Sequence, residues 1–246
     1  ASLMYRMATD IPSLLGVNGL ALQAERVEQV SVDGALTVRS LWGVGKMNVG
    51  SARDTKPVPV VEMTRTIFPS RSLPLMCEHY VLRNVGGKPL AVYIPEFSQV
   101  VTTDPAKGVA GSYVVRGDLA GSGTFMLVPA DSLAFDAVFQ AYRSDEEPLR
   151  PDVAAEYAAR MEFVHGCIDA NLVLETPDPV IDTEFRYAKL RAAESIIETR
   201  GGYMHAPGGE SYYAAVWAND QAEYVNPFFP FLGYGTGNES ALNSFR

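Results

Sequence analysis

From residue 20 to about 145 the chain passes through eight short β-rich runs with no helix-length run between them, and this succession restricts the fold more than any other feature. The runs are VEQVSV, ALTVRSLWGV, PVVEMTRTIF, HYVLRNV, PLAVYI, GSYVVRG, TFMLVP and SLAFDAVFQAY, and glycine-rich turn chemistry separates many of them, at Asp33-Gly34, Gly86-Gly87, Gly117-Asp118 and Gly121-Ser122-Gly123. In HYVLRNV and ALTVRS apolar and polar residues partly alternate, as in strands with one face on a core. Asn84-Val85-Gly86-Gly87-Lys88 reads as a hairpin connection, because glycine supplies the positive φ of a tight turn. Many strands at short spacing without intervening helices predict an antiparallel β-sandwich over residues 1–147.

The texture changes at Ser144-Asp145-Glu146-Glu147-Pro148-Leu149-Arg150-Pro151, a polar stretch with two prolines of the kind that separates domains. A first helix is predicted from Asp152, its N-cap, with Val153, Tyr157, Met161, Val164 and Ile168 on one face, Gly166 weakening its second half, and residues 148–178 serving as a linker. A second helix is predicted over about 179–200, capped by Asp178, opened by Pro179 and stopped by Gly201-Gly202, with Ile181, Phe185, Ala188, Ala192 and Ile196 as its apolar stripe. A third is expected from about 213 to 228, ended by Pro227 or Pro230. The loop between the last two, HAPGGESYY, is long for a helical bundle, and such loops often carry function.

Nine of the 25 aromatic residues fall in residues 201–234, interleaved with Glu210, Asn219, Asp220, Gln221 and Glu223. Flat apolar faces beside carboxylates and amides suit sugars, whose C–H faces stack on rings while each hydroxyl needs a hydrogen-bond partner on leaving water. The same pattern also describes a helix whose aromatic face is core. Within it, a buried carboxylate such as Asp220 can grip vicinal hydroxyls, act as a general acid if aromatic neighbours raise its pKa, or merely cap its helix. His205 can donate to a hydroxyl or fix its loop, and Glu210, two residues before the Tyr212-Tyr213 pair, can line a cleft or be a solvated charge.

The run TPDPVIDTEFRYAKLRAAESII, then GGYMHAPGG, then WANDQAEYVNPFFPFLGYG resembles the opening of the catalytic domain of six-hairpin glycosidases, whose relatives often carry an amino-terminal sandwich. The resemblance implies that residues 179–246 begin an (α/α) barrel with its first hairpin, and that the chain is the amino-terminal part of a glycoside hydrolase acting on oligosaccharides or glycans. It places Trp217 and Asp220 near the sugar in the cleavage subsite, Asp220 binding hydroxyls or, in some families, protonating the leaving oxygen. His205, Glu210 and Tyr212 complete the expected substrate-binding set. Asn219 stands where related patterns often have arginine, which leaves the subgroup open.

Glycosidic cleavage needs an acid with a base or nucleophile, and the resemblance puts at least one of these beyond residue 246. The chain alone is therefore expected to be inactive, its helical surface covered by the remaining polypeptide or a second copy. The alternative is a non-catalytic carbohydrate-binding or interaction module built on the sandwich. A net charge of −9 with no basic run argues against nucleic acid. No apolar run approaches membrane-spanning length and no leader pattern opens the chain, so it is read as soluble, with the compartment, periplasmic or secreted included, left open. Cys77 with His79, and His165 with Cys167, are too few ligands for a metal site, and no cofactor is implied.

Overall fold

The computed structural model of the chain describes residues 7, 9–45, 58–108, 110–206 and 216–246. It divides into two compact units, one running up to Arg160 and the other from Met161 to Arg246.

The first unit opens with a short helix, α1 (Ile11–Leu14), followed by β1 (Gly16–Val17), β2 (Leu20–Val32), β3 (Leu36–Gly45), β4 (Pro59–Pro69) and β5 (Leu75–Asn84). Then come β6 (Leu90–Ile94), β7 (Ser98–Thr102), β8 (Tyr113–Ala120), β9 (Gly123–Leu127) and β10 (Ser132–Arg143). Among the described residues these strands form one ten-stranded sheet in the order β7-β8-β10-β5-β4-β3-β2-β1-β6-β9, and every pairing is antiparallel. Asn18 and Gly19, both at positive φ (53° and 72°), make the two-residue turn that joins β1 to β2, the geometry that a right-twisted hairpin requires.

The sheet curls so that β1, β6 and β9 lie over β4, β5 and β10. Their inward side chains, among them Val17, Val92, Ile94 and Leu127 from one end and Val61, Tyr80, Leu82 and Phe135 from the other, form one buried cluster. Period-two alternation puts Arg65, Glu78 and Tyr80 on this inner face. Buried Glu78 accepts from Arg65 Nη2 at 2.8 Å and from the Tyr80 hydroxyl at 2.5 Å, and Tyr80 stacks on Phe135. Burial, reinforced by the Glu78 carboxylate, keeps the Tyr80 phenol protonated far above its ordinary range.

Asn84 ends β5 and ties the curl together. The segment after it does not make the predicted hairpin, because β5 pairs with β4 and β10 whereas β6 pairs with β1 and β9. It crosses instead from the middle of the sheet to its far end. The Asn84 amide nitrogen donates to Lys88 O and Leu127 O, both at 2.9 Å, its oxygen accepts from Gly86 N, and its backbone pairs with Asp131 O and Ala130 N. One buried side chain thus satisfies the backbone of two sheet connections, which otherwise would leave polar groups unpaired.

On the outer face, Phe68, Leu75 and Cys77 pack with Ala35 and Val153. Val153 begins α2 (Val153–Ile168), whose residues up to Arg160 belong to this unit. Asp152 caps α2, accepting from Ala154 N and Ala155 N, and Arg160 Nε donates to Gly34 O at 2.9 Å.

In the second unit the later part of α2 packs Val164, Cys167 and Ile168 on Leu190 and Ala193 of α3 (Pro179–Glu194). Asp178 caps α3 through Val180 N, as its sequence predicts. Lys189 is buried in α3, its ammonium donating to Ala170 O and Leu172 O, and burial lowers its pKa. The predicted stripe is only partly interior. Ala192 and Ile196 pack against a second cluster around Phe229, while Ile181 stays exposed.

The expected antiparallel sandwich takes the form of one curled antiparallel sheet, whereas the first hairpin of an (α/α) barrel expected after it is overturned by this arrangement. The strands make one curled sheet, and α3 is not followed by a partner helix. It stops at Glu194, before Gly201-Gly202, and the β-branched run Ile196-Ile197 opens β11 (Ile196–Thr199), which pairs with β12 (Gly202–His205). The two glycines lie at the turn of that hairpin, Gly202 at φ 107°. Among the described residues helical backbone is next found at Ala218 and continues as a π-helical turn (Asp220–Val225), α4 (Asn226–Leu232) and α5 (Gly235–Asn243). Both prolines expected to end the third helix lie within it, Pro227 in the first turn of α4 and Pro230 inside.

Replacing Asn84 by alanine is expected to lower the stability of the first unit by about 2–4 kcal/mol, at roughly 1–3 kcal/mol for each buried group left unpaired. Asn84→Asp recovers little of this, since a carboxylate cannot donate to two carbonyls. Denaturant unfolding followed by Trp42 fluorescence measures both, and an unmoved midpoint would show that the connections are held by other groups.

Candidate functional site

Three of the five residues expected to bind substrate are described, and all belong to the second unit. Glu210 and Tyr212 lie outside the described residues, as does most of the HAPGGESYY loop.

His205 ends β12 opposite Ile196 and is buried. The Gln221 side-chain nitrogen donates to His205 O at 2.9 Å and lies 3.2 Å from the ring Nδ1. The carbonyl fixes which end of the amide faces the histidine, so Nδ1 must accept and the ring proton sits on Nε2. Phe229 closes the other side, its ring edge-on at 5.9 Å. Burial holds the imidazole below the usual histidine range, with the Asp220 charge opposing part of that shift. His205 is thus a neutral, oriented ring rather than a loop-borne one.

Phe229 is itself fully buried against α5. Gly237 lies so close that a Cβ would come within 3.1 Å of its ring. Asn243 of α5 donates to Tyr203 O and so holds β12 from behind. Asn171, in the left-handed region, caps α4 by donating to Leu232 O at 2.8 Å beside Gly233.

Trp217 and Asp220 are both more exposed than His205. Gln221 N donates to Trp217 O, so Trp217 marks the start of the helix and Asp220, three residues on, falls on the same side of its first turn. Trp217 is 47% exposed. Asp220 is half-buried, and its carboxylate makes no hydrogen bond or ion pair with another described residue. The cap and ion-pair alternatives for it therefore find no partner among those residues.

Between them runs the π-helical turn, in which Asn226 N donates to Gln221 O. The wider register accompanies Pro227, whose missing N–H deprives Glu223 of its normal i+4 donor. Gln221 Oε1 and Asn226 Oδ1, one at each end of this turn, are buried acceptors with no partner among the described residues. Sequence reasoning passed over Gln221 as a site residue, although it stands beside Asp220 in WANDQ. Its signal was positional only, a polar residue one place out of step with its polar neighbours.

No protein-family model and no curated protein matches the chain. Among solved structures, its fold is similar to a protein titled "Putative kojibiose phosphorylase from human microbiome", with a TM-score of 0.54 and 8% sequence identity. The match covers 80% of this chain and 32% of that one, so the chain spans about a third of its length. At that identity the likeness is one of fold. Among the described residues no helix is long and apolar enough to cross a membrane, and no group of three or more histidine, cysteine or acidic side chains is placed to hold a metal ion. Cys77 and Cys167 are both buried and form no disulfide.

The lowered His205 pKa gives a pH dependence of definite sign. Below the ordinary histidine value of about 6.5 the unfolded chain takes up a proton that the folded chain refuses. Stability of the second unit therefore declines as pH falls through that value and levels off once the folded-state value is passed. His205→Gln should flatten this part of the profile, read as the difference in melting temperature between about pH 7.5 and about pH 5. An identical slope in the variant would mean that His205 is not the group that titrates.

Proposed function

We propose that the chain is the amino-terminal part of a carbohydrate-active enzyme that cleaves glycosidic bonds in oligosaccharides or glycans by acid/base chemistry. The observation that carries the reading is the exposed Trp217 indole with, three residues on, the Asp220 carboxylate, which makes no hydrogen bond or ion pair with another described residue, so that a ring face and a hydroxyl acceptor share one turn. The fold likeness to a protein titled as a phosphorylase supports it, and leaves both water and phosphate as attacking groups. In this reading Trp217 stacks on a sugar ring and Asp220 accepts from its hydroxyls. His205, held neutral by Gln221 and Phe229, sets the position of the strand behind them, and Glu210 and Tyr212 add further contacts. Cleavage itself needs an acid and a base or nucleophile on either side of the bond, and Asp220 is proposed as a binding carboxylate before a proton donor.

Asp220→Asn removes charge with little change of volume. Hydrogen bonds to a charged group contribute roughly 1.5–3 kcal/mol, so affinity for a disaccharide such as maltose or kojibiose should fall by about ten- to a hundredfold. Melting temperature should barely move. Trp217 provides the readout, since Trp42 is the other tryptophan and a Trp42→Phe background isolates its emission. Sugar-induced quenching that survives Asp220→Asn undiminished, or a variant that loses stability instead of affinity, would remove the residue from the site.

A further inference from the structure

The first unit carries a second candidate pocket, on the outer face of its sheet. A cavity of about 430 Å³ is lined by Thr66, Phe68, His79, Asp136, Asp152 and Tyr157, together with the start of α2. Its volume lies at the small end of the roughly 300–1,000 Å³ range of small-molecule sites. The sheet register builds its floor. Thr66 of β4 faces His79 of β5, and His79 faces Asp136 of β10, which places three polar side chains in one row across three strands. Thr37 of β3 extends the row, its hydroxyl 3.4 Å from that of Thr66.

The row stays open to a ligand, since the His79 and Asp136 side chains are 41% and 29% exposed. The neighbouring positions on the same face, Phe68 and Cys77, are buried and packed on Val153. The polar row is therefore a local departure from a core that continues beside it. His79 Nδ1 lies 2.7 Å from Asp136 Oδ1. A carboxylate only accepts, so Nδ1 carries the proton, and in the neutral ring Nε2 is an acceptor with no partner among the described residues. Asp136 uses one oxygen in this pair, and Asp152 spends Oδ1 on the α2 backbone. Tyr157 is braced edge-on by Phe68 at 5.2 Å, while its hydroxyl makes no hydrogen bond with another described residue.

We propose that this cavity binds a neutral, polyhydroxylated ring of monosaccharide size. Each part of the lining answers one property of such a ligand. Tyr157 and Phe68 offer apolar surface to C–H faces, the Asp136 and Asp152 carboxylates and His79 Nε2 accept from hydroxyls, and Thr66 and Tyr157 donate to them. Two carboxylates exclude a phosphate or a carboxylate ligand. An ammonium would satisfy the acceptors but offer the Tyr157 hydroxyl nothing to donate to. The inference stands on the first unit alone and does not depend on the role given to Trp217 and Asp220.

The test is titration of the 246-residue chain with D-glucose, observed through the ring protons of His79 and Tyr157 by NMR, with ethanolamine and inorganic phosphate as competing probes. Saturable shifts at both residues are expected with glucose alone. Asp136→Asn should weaken binding by about tenfold or more, and Tyr157→Phe, which keeps the ring and the Phe68 contact, by a smaller factor. Asp220→Asn should leave these shifts intact, which separates this pocket from the proposed site in the second unit. Glucose shifts confined to the second unit, ethanolamine binding more tightly than glucose, or wild-type affinity in both Asp136→Asn and Tyr157→Phe would each overturn the proposal. Should Asp136→Asn fail to fold, Tyr157→Phe and the competition between probes decide it.

Discussion

The first unit depends on the hydrogen bonds of one buried amide. A sheet of this length gains a core only by curling until its own ends face each other, and the chain must then cross between those ends without leaving backbone groups dry and unpaired. Asn84 meets that demand at the point where β5 gives way to β6 and β9 to β10. Around it, Val92, Ile94 and Leu127 find Leu82 and Phe135 as partners. The buried Glu78, with Arg65 and Tyr80 upon it, is tolerated inside because each of its oxygens has a donor.

Local pattern made the strands legible and their order illegible. Alternation in HYVLRNV and ALTVRS is a property of one strand, and both runs fall in strands of the sheet. Whether Asn84-Val85-Gly86-Gly87-Lys88 joins neighbours or crosses the sheet depends on which distant strands compete for the same edges, and turn residues serve either purpose. The tightest hairpin, by contrast, did carry its signal in Asn18-Gly19, but the strand before it is so short that no alternation framed it. Capping chemistry identified Asp152 in the first unit and Asp178 in the second, because a cap is a contact within three residues. The end of α3 was missed because two glycines look like a helix stop when nothing local distinguishes that from the turn of a hairpin.

The candidate site was legible as composition and less so as geometry. The density of aromatics and carboxylates after residue 201 pointed to the right region for a ring beside a carboxylate, yet gave no reason to expect that Phe229 and His205 would be interior while Trp217 and Tyr224 stayed outside. Burial in so short an array of helices is decided by which residue meets Gly237 of α5, here Phe229, and that is set by tertiary packing and not by local pattern. Gln221 shows the same point from the other side, since its amide is buried for the sake of a strand backbone sixteen residues earlier.

The π-helical turn has a consequence for how this segment tolerates change. A turn closed by i→i−5 bonding holds one more residue than the α-helix around it, and each residue of an α-helix advances the azimuth by about 100°. Removing a single residue between 220 and 225 would restore an α register and swing Trp217 away from its present bearing relative to Phe229 by roughly that angle. Side-chain substitutions along the helix leave that phase relation untouched. Length, more than identity, is the variable that this stretch must conserve to keep its exposed ring and its buried ring on their present sides.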